Sequence, residues 1–464
     1  MRCLLRFAQS HTDFRLPELE ALTEITQVPV EYDSSSYDRS TPFLEFTTPS
    51  AKHVKRLISR AVLVRDCIEL WTTGSSLDEL LANVQRDTQH YWPKYMQSSF
   101  KFIVDSFGQS YSAQKQRDII NRFAFLPFQG KIDLKNPNVE FCVFHDSGID
   151  VDAPGHHDHM GGYAVVRPEK YYFGRLISRS TGRDTIDKFD LKKRRYIGNT
   201  SMDAELSLIM ANMALARPGS FMYDPFAGTC SFLITCAHYG AATFGSDIDG
   251  RQIRGTAGHA GGQGGGLAAN VVQYDVKDRV MGAACFDVCQ NPWRQPPEGL
   301  FDAIVTDPPY GVRAGARRIG VLDANAPDGA TGSAERIPKA KGLPITVAYE
   351  MGDIISDLTS FGVKYLVPGG RLCFWLPTIT EGYSASDVPV PPGMRIVANS
   401  EQKFGKWSRR LVTMEKLHGD HHSVDGKGSS SPKPIVPGHG FFRDRYFTGS
   451  LPSSVSPSPA LPSK

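Results

Sequence analysis

The feature that most constrains the fold is the tetrapeptide Asp307-Pro308-Pro309-Tyr310, which closely follows an apolar stretch at residues 301–305. Proline fixes φ and has no N–H, so a strand that enters this sequence must stop at a rigid corner. The Asp307 carboxylate and the Pro308 carbonyl can both accept hydrogen bonds from one exocyclic amine, while Tyr310 stacks on the ring that carries it. The corner therefore predicts a reaction in which the exocyclic amine of a flat base ring attacks an electrophilic carbon. The alternative is a loop that only closes a strand.

A short apolar strand at residues 221–223 also ends at an acid. Asp224 is followed by Phe226, Gly228 and Thr229, and then by a helical apolar pattern. Glycine permits a ligand to approach the backbone closely, and the first N–H groups of a helix attract negative charge. We therefore expect these four residues to bind a cofactor, although an ordinary strand-to-helix turn has the same pattern.

Two further acids end strands in this region. Asp247 lies in the position where βαβ folds hold the ribose of a nucleotide. Asp249 fits better as the N-cap of a helix that begins near Gly250. Asp287 follows a third strand at residues 283–286 and is expected to accept a hydrogen bond from an adenine amine. The ordered series of strands ending in acids predicts an α/β, Rossmann-like fold with a mostly parallel sheet.

The remaining elements complete this picture. In the N-terminal half, an α+β pattern predicts strands at residues 3–8, 43–48, 62–71 and 100–107, and helices at residues 16–25, 51–61, 76–89 and 113–123. In the second half, the pattern predicts a helix at residues 354–366, a turn at Gly369-Gly370 and a closing antiparallel pair at residues 394–400 and 411–416.

The net charge of +3 over 464 residues indicates no global attraction to nucleic acid. Residues 167–195, however, hold ten Lys or Arg against four acids, with Tyr171, Tyr172 and Phe173 interleaved. Such a basic stripe suits a phosphate backbone whose bases stack, and a solvated linker is the alternative. A packed aromatic residue is likewise the alternative for Phe128. The candidate RNA-binding residues are Phe128, Lys131, Arg175, Lys192, Lys193, Arg194, Arg195 and Arg313.

These motifs carry a family resemblance. The segments DPFAGTCSFLI, GSDID, FDVCQ and TDPPYGVR resemble the class I S-adenosylmethionine-dependent methyltransferases that methylate amines. FRLPE, FLPFQGK, YFGR, RYIGNTSMD and SRRLVTMEKL extend the resemblance, up to about residue 418, to the catalytic subunits of eukaryotic tRNA guanosine-10 N2-methyltransferases. S-adenosylmethionine is then the expected cofactor, and Thr200, Ser201 and Asp203 are expected to close its pocket. Cys230 and Ser231 stand where relatives commonly carry Gly.

The resemblance implies a domain order and a partner. It places a ferredoxin-like domain at residues 1–72, a THUMP RNA-binding domain at 73–180, a basic linker at 181–199 and a methyltransferase domain at 200–418. It also implies tRNA as substrate and a small zinc-ribbon activator subunit as partner, with no DNA. A polar loop at residues 321–340 is expected to clamp RNA or to be disordered, and the Ser- and Pro-rich tail at 419–464 is expected to be largely disordered.

Several other functions are disfavoured. The eight cysteines form no CxxC pair, which argues against a zinc module in this chain and fits a reducing compartment. His156, His157 and His159 lie between Pro154-Gly155 and Gly161-Gly162, so we interpret them as a surface loop and expect no metal. No stretch approaches the ~20 apolar residues that span a membrane, and the N-terminus lacks a signal-peptide pattern. A cytoplasmic protein is therefore expected.

Two rival functions fit parts of the pattern. One is an N-methyltransferase acting on another nucleic-acid base or on a protein amide, against which the N-terminal half argues because it resembles an RNA-binding module. The other is a noncatalytic RNA-binding protein that keeps the methyltransferase fold as a scaffold. The acids of the cofactor pocket and the complete Asp307 corner argue against that scaffold.

Overall fold

The computed structural model describes residues 1–149, 167–198, 201–256, 265–311, 316–319, 346–380 and 383–418, and it divides into two compact units after Lys188. The predicted His156 segment, the 321–340 loop and the tail from residue 419 lie outside the described residues, as does most of the glycine-rich stretch around residue 260. Among the helices of the described ranges, none is long and apolar enough to cross a membrane.

The first unit is built on one six-stranded sheet with the order β2-β1-β3-β6-β5-β4, in which only β4 and β5 pair in parallel. Its strands are β1 (Arg2–Phe7), β2 (Phe43–Thr47), β3 (Val64–Gly74), β4 (Phe100–Phe107), β5 (Val139–Asp146) and β6 (Lys170–Arg179). Its helices are α1 (Arg15–Thr26), α2 (Ala51–Ile58), α3 (Leu77–Asp87) and α4 (Ala113–Asn121), and α5 (Gly182–Phe189) lies at its end. The α+β class predicted for this half is confirmed.

The strand β3 connects the two halves of this sheet. It pairs with β1 on one side and with β6 on the other, so hydrogen bonding is continuous across the predicted domain boundary at residue 73. That boundary falls inside a strand. Two cores of aromatic and aliphatic side chains pack in this unit. One is built around Trp71 and Phe141, and the other around Leu4 and Phe144.

The second unit contains a seven-stranded sheet with the order β14-β15-β13-β10-β7-β8-β9. Its strands are β7 (Phe221–Asp224), β8 (Ala242–Asp247), β9 (Val280–Cys285), β10 (Phe301–Thr306), β13 (Leu366–Ile379), β14 (Met394–Lys403) and β15 (Trp407–Lys416), and a separate two-stranded ribbon is formed by β11 (Arg317–Ile319) and β12 (Thr346–Ala348). Five strands run parallel, and β14 and β15 are antiparallel to their neighbours. The predicted α/β class, with its closing antiparallel pair, is confirmed.

Helices cover this sheet and fix its strand ends. They are α6 (Ala204–Met213), α7 (Ser231–His238), α8 (Gly250–Arg254), α9 (Gly266–Tyr274) and α10 (Met351–Tyr365). The main core of the unit packs Tyr223, Phe301 and Phe374 from three strands against Ile355 and Leu358 of α10. Burial of these side chains holds the parallel strands in register.

The turn predicted at Gly369-Gly370 lies inside a strand and not before it. Both glycines lie within β13, where its pairing with β10 jumps from Phe301–Leu366 to Ala303–Arg371. Gly369 has φ +77°, and a Cβ on Gly370 would lie 2.8 Å from the Val367 carbonyl oxygen. The two glycines therefore form a bulge, since the strand resumes immediately after them. Residues with a Cβ would not fit at these two positions.

Candidate active site

Three acids meet at the carboxyl edge of the parallel sheet. Asp224 and Asp247 are the last residues of β7 and β8, and Asp307 directly follows β10. The three strands are neighbours in the order β10-β7-β8, so their ends lie side by side. This is the edge at which open α/β sheets bind ligands.

Asp224 is a buried carboxyl group that is only half satisfied. Its Oδ1 accepts hydrogen bonds from Thr306 Oγ1 at 2.7 Å and from the Phe226 N–H at 3.1 Å. Among the described residues, its Oδ2 has no hydrogen-bond partner. Burial raises the pKa of Asp224 to about 8, although the Thr306 and Phe226 hydrogen bonds oppose that shift. A cation that reached this carboxylate would relieve the cost of burying its charge.

The loop after β7 leaves space beside that carboxylate. Gly228 has φ +50°, and a Cβ built on it would meet only the Phe226 carbonyl oxygen, 4.0 Å away. The Gly228 N–H donates to Asp247 Oδ2 at 2.8 Å. Asp247 Oδ1 accepts from the Asp249 N–H at 2.8 Å, and burial raises the pKa of Asp247. As predicted, Asp249 is the N-cap of α8.

A second segment, which precedes α6, lies against this loop. Ser201 Oγ is 2.9 Å from Thr229 Oγ1. Asp203, by contrast, is exposed and caps α6 by accepting hydrogen bonds from the Glu205 and Leu206 N–H groups. Thr200 lies outside the described residues. A cofactor contact by Asp203 would therefore compete with its role as a helix cap.

Asp287 is buried and already holds two backbone amides. Its Oδ1 accepts from the Cys289 N–H at 2.9 Å, and its Oδ2 accepts from the Ile319 N–H at 2.6 Å. The latter bond attaches the β11–β12 ribbon to the end of β9. An adenine amine at Asp287 would have to share these oxygens, so its predicted contact stays a prediction.

The Asp307 corner contains two polar atoms without partners. Asp307 Oδ1 and the Tyr310 hydroxyl make no hydrogen bond with any residue that the structure describes. Burial raises the pKa of Asp307 to about 6, and the nearby Tyr310 hydroxyl and Arg409 guanidinium partly oppose it. Pro308 is buried and Pro309 is exposed. The corner is thus a partly dehydrated acceptor beside an aromatic ring.

Two residues of this site were missed at the sequence level. Thr306 donates to Asp224, and the hydroxyl directly before the Asp307 motif was the signal for it. Arg409 influences the pKa of both Asp307 and Tyr310. Arg409 belongs to the SRRLVTMEKL segment, but nothing local places it near the corner, since β15 reaches the site only through its pairing with β13.

The predicted RNA-binding residues fall into different environments. In the first unit, Lys131 is exposed, Phe128 stacks on Phe141 with ring centroids 4.6 Å apart, and Arg175 pairs with Glu69 at 3.0 Å. Of the predicted RNA-binding residues in the second unit, Lys192, Lys193 and Arg195 are exposed. Arg313 lies outside the described residues.

The prediction of an RNA contact is wrong for Arg194, because its side chain is buried. Its guanidinium donates to the Thr229 carbonyl and to Ser231 Oγ, both at 2.7 Å. Burial lowers the pKa of Arg194. Arg194 therefore holds the loop that carries Gly228 instead of facing solvent.

Comparison with known proteins gives matches along the whole chain. A model of the Tmrp11 THUMP N-terminal domain matches residues 1–182, and one of the RMKL-like methyltransferase domain matches residues 192–320. The tRNA (guanine(10)-N(2))-methyltransferase of Schizosaccharomyces pombe is 35% identical over 99% of this chain and 99% of its own. Human tRNA (guanine(10)-N(2))-methyltransferase TRMT11 is 34% identical over 97% of this chain and 95% of its own. The crystal structure of TrmN from Thermus thermophilus covers 90% of this chain and 100% of its own at 16% identity, with a TM-score of 0.44.

Proposed function

Because this chain belongs to the tRNA (guanine(10)-N(2))-methyltransferase family, we propose that the edge formed by Asp224, Asp247 and Asp307 is where it methylates the N2 amine of guanosine 10 in tRNA. The observation that carries this assignment is the buried Asp307 Oδ1, which has no partner among the described residues and lies near the Tyr310 hydroxyl. An acceptor kept dry and unpaired is suited to a donor that arrives with the substrate.

The residues present fit S-adenosylmethionine. When bound, this cofactor supplies an electrophilic methyl group on a sulfonium. Asp224, with its unpaired Oδ2, suits the ammonium group of the methionine part, and the open space at Gly228 admits that part beside Thr229 and Phe226. Asp247 and Ser201 complete the set, with Asp247 suited to the ribose hydroxyls, which would share its oxygens with the Gly228 and Asp249 N–H groups.

The catalytic work of the chain is orientation. A guanine extruded from its stack, as base-modifying enzymes require, places its amine against Asp307 and the Pro308 carbonyl, beside the Tyr310 ring. Both acceptors draw on the amine hydrogens, so the nitrogen lone pair is freed from the ring and aimed outward. No strong base is needed, because the amine loses its proton after attack. Well-oriented groups reach effective molarities of ~10⁵ M or more.

The partner and the compartment belong to the same proposal. We infer a small zinc-ribbon activator subunit and a reaction in the cytoplasm, with no DNA substrate. The partner is what the resemblance of the sequence motifs to such catalytic subunits implies, and the scattered cysteines fit a reducing compartment. The other N-methyltransferase substrates and the noncatalytic scaffold become outcomes of the experiment.

The test is nucleoside analysis of unmodified tRNA after incubation with labelled S-adenosylmethionine, the purified chain and the zinc-ribbon subunit. Asp307→Ala is compared with Asp278→Ala, which changes an exposed acid in a turn of the same unit. We expect label in N2-methylguanosine at position 10, lost in Asp307→Ala and kept in the control. Label in another nucleoside would overturn the target assignment. If no nucleoside is labelled although every component is present, the noncatalytic RNA-binding scaffold is supported instead.

A further inference from the structure

The turn between β14 and β15 projects beyond the carboxyl edge of the sheet. Thr306, the last residue of β10, lies opposite Phe374 of β13, and Ile379 of the same strand lies opposite Trp407. Five residues of β13 therefore extend past the level at which β10 ends, which corresponds to ~16 Å of strand. The turn formed by residues 403–407 lies at the tip of this extension, on the side of the sheet where the Asp307 corner opens.

This turn is held rigidly. The Phe404 N–H donates to the Trp407 carbonyl at 2.8 Å, and Gly405 takes φ +81° between them. Thr380 braces the turn from the end of β13, because its Oγ1 donates to the Gly405 carbonyl at 3.0 Å and its N–H to the Lys406 carbonyl at 3.3 Å. A side chain on this turn is therefore presented in a fixed position.

The turn presents an aromatic pair flanked by cations. The Phe404 and Trp407 rings stack with centroids 4.5 Å apart and an interplanar angle of 17°. Phe404 is 43% exposed, and both Lys403 and Lys406 are exposed. Within the described part of the chain neither lysine forms an ion pair, and the nearby Glu401 pairs with Arg410.

A single exposed phenylalanine needs no special explanation. What distinguishes Phe404 is its connection to the catalytic corner through Arg409. The Arg409 guanidinium lies 5.5 Å from the Phe404 ring centroid and 4.2 Å from that of the buried Trp375. Its Nε donates to Gln402 at 2.7 Å, and its charge partly offsets the burial that raises the pKa values of Asp307 and Tyr310. Arg409 therefore contacts the exposed ring and acts electrostatically on the corner.

We propose that the Lys403–Trp407 turn is a stacking platform for a nucleotide next to the guanine that is methylated. The neighbouring base stacks on the outer face of Phe404, and its phosphates lie against Lys403 and Lys406. This chemistry fits a single-stranded RNA segment, since base–aromatic stacking beside cations is the usual way to hold unpaired bases. The proposal rests on the proposed function, because it places RNA at the Asp307 corner.

The test compares full-length variants for affinity to an unmodified tRNA transcript and for kcat/KM of methyl transfer, with the activator subunit present. We expect Phe404→Ala to weaken tRNA binding and kcat/KM roughly tenfold. Phe404→Tyr should restore both, because it keeps the ring. Affinity for S-adenosylmethionine and the melting temperature should stay at wild-type values. The matched control is Ile396→Ala, a partly exposed apolar residue near the other end of β14.

The contribution of the two lysines can be distinguished from that of the Phe404 ring by measuring tRNA binding at several salt concentrations. The double variant Lys403→Ala/Lys406→Ala should reduce the slope of log Kobs against log salt by about 1.4, which is two single-strand phosphate contacts. Phe404→Ala should leave that slope unchanged, since stacking releases no counterions.

Two outcomes would overturn the platform. In the first, Phe404→Ala binds tRNA as tightly as Ile396→Ala does. In the second, Phe404→Ala loses only its binding to the activator subunit, which would make the turn a protein interface. The binding measurements need no methyl transfer. If the wild-type chain binds tRNA through Phe404 but transfers no methyl group, the proposed function fails and the turn stands only as an RNA-stacking site.

Discussion

Asp224 and Asp307 are carboxyl groups from which water has been largely removed, and each keeps one oxygen without a partner among the described residues. The two differ in what opposes burial. Asp224 has hydrogen bonds from Thr306 and Phe226, whereas Asp307 has the Tyr310 hydroxyl and, more weakly, the charge of Arg409. Perturbed carboxyl groups of this kind concentrate at functional sites. Their ionisation therefore offers direct tests of their roles.

The rate of methyl transfer should depend on the protonation of Asp307. Its pKa is about 6, so Asp307 is mainly a carboxylate at pH 7.5 and becomes protonated as the pH falls through 6. A protonated carboxyl is a weaker acceptor, and we expect the single-turnover rate at saturating cofactor to fall about tenfold per pH unit below that value. Asp307→Asn should lower the rate by about 10² and remove this dependence. A wild-type rate that stays constant down to pH 5 would contradict the role of acceptor.

Asp224 should make the cofactor-free protein less stable as the pH rises. The folded state keeps this proton up to about pH 8, whereas an unperturbed Asp releases it near 3.8. The free energy of unfolding should therefore fall, by on the order of 1 kcal/mol per pH unit, between pH 4 and 8. Asp224→Asn should lack this part of the slope in denaturant titrations at several pH values.

The same residue links stability to ligand binding. A cofactor ammonium beside Asp224 favours the carboxylate, so binding near pH 7 should release a proton. Calorimetry in buffers of different ionisation enthalpy measures this release, and Asp224→Asn is the control that should abolish it. Proton uptake on binding would place the ammonium group elsewhere.

At the scale of elements, the loop after β7 depends on an arginine that local sequence assigns to the wrong surface. Arg194 and Arg195 belong to one basic run, yet Arg194 is buried and Arg195 is exposed. We expect Arg194→Ala to raise the Kd for S-adenosylmethionine about tenfold, because hydrogen bonds from a charged donor to Thr229 and Ser231 are lost. Arg195→Ala, the matched control, should leave that Kd unchanged. Equilibrium binding of both variants to cofactor and to tRNA would distinguish the roles, and equal effects on the cofactor Kd would contradict this assignment.

The elements also show what the sequence can predict. Period-2 and helical patterns locate β4, α3 and the strand ends at Asp224 and Asp247, because local alternation and turn residues carry that information. The pattern of residues 167–195 instead suggested a basic stripe or a linker, although residues Lys170–Arg179 form a central strand. Its cations are neutralised by acids far away in sequence, as in the pairs Lys170–Glu45 and Arg179–Glu140, both at 2.6 Å. Such pairing depends on sheet order, which no local pattern specifies.

For the whole molecule, the chain consists of two compact units, and each has its own sheet and its own core. All of the proposed cofactor residues within the described ranges belong to the second unit. A ligand stabilises the structure that binds it, by ~2.7 kcal/mol at a concentration of one hundred times its Kd. The stabilisation should therefore be confined to the unit that carries the site.

Hydrogen–deuterium exchange with and without S-adenosylmethionine measures this directly. We expect slower exchange in peptides that cover β7, β8 and β10, and unchanged exchange in β1, β3 and β5 of the first unit, since local opening follows separate cooperative cores. Asp224→Asn gives the matched control, because it weakens the cofactor site without touching the first sheet. Protection that rises equally in both units would show that they unfold as one body, and the cofactor would then stabilise the first unit as well.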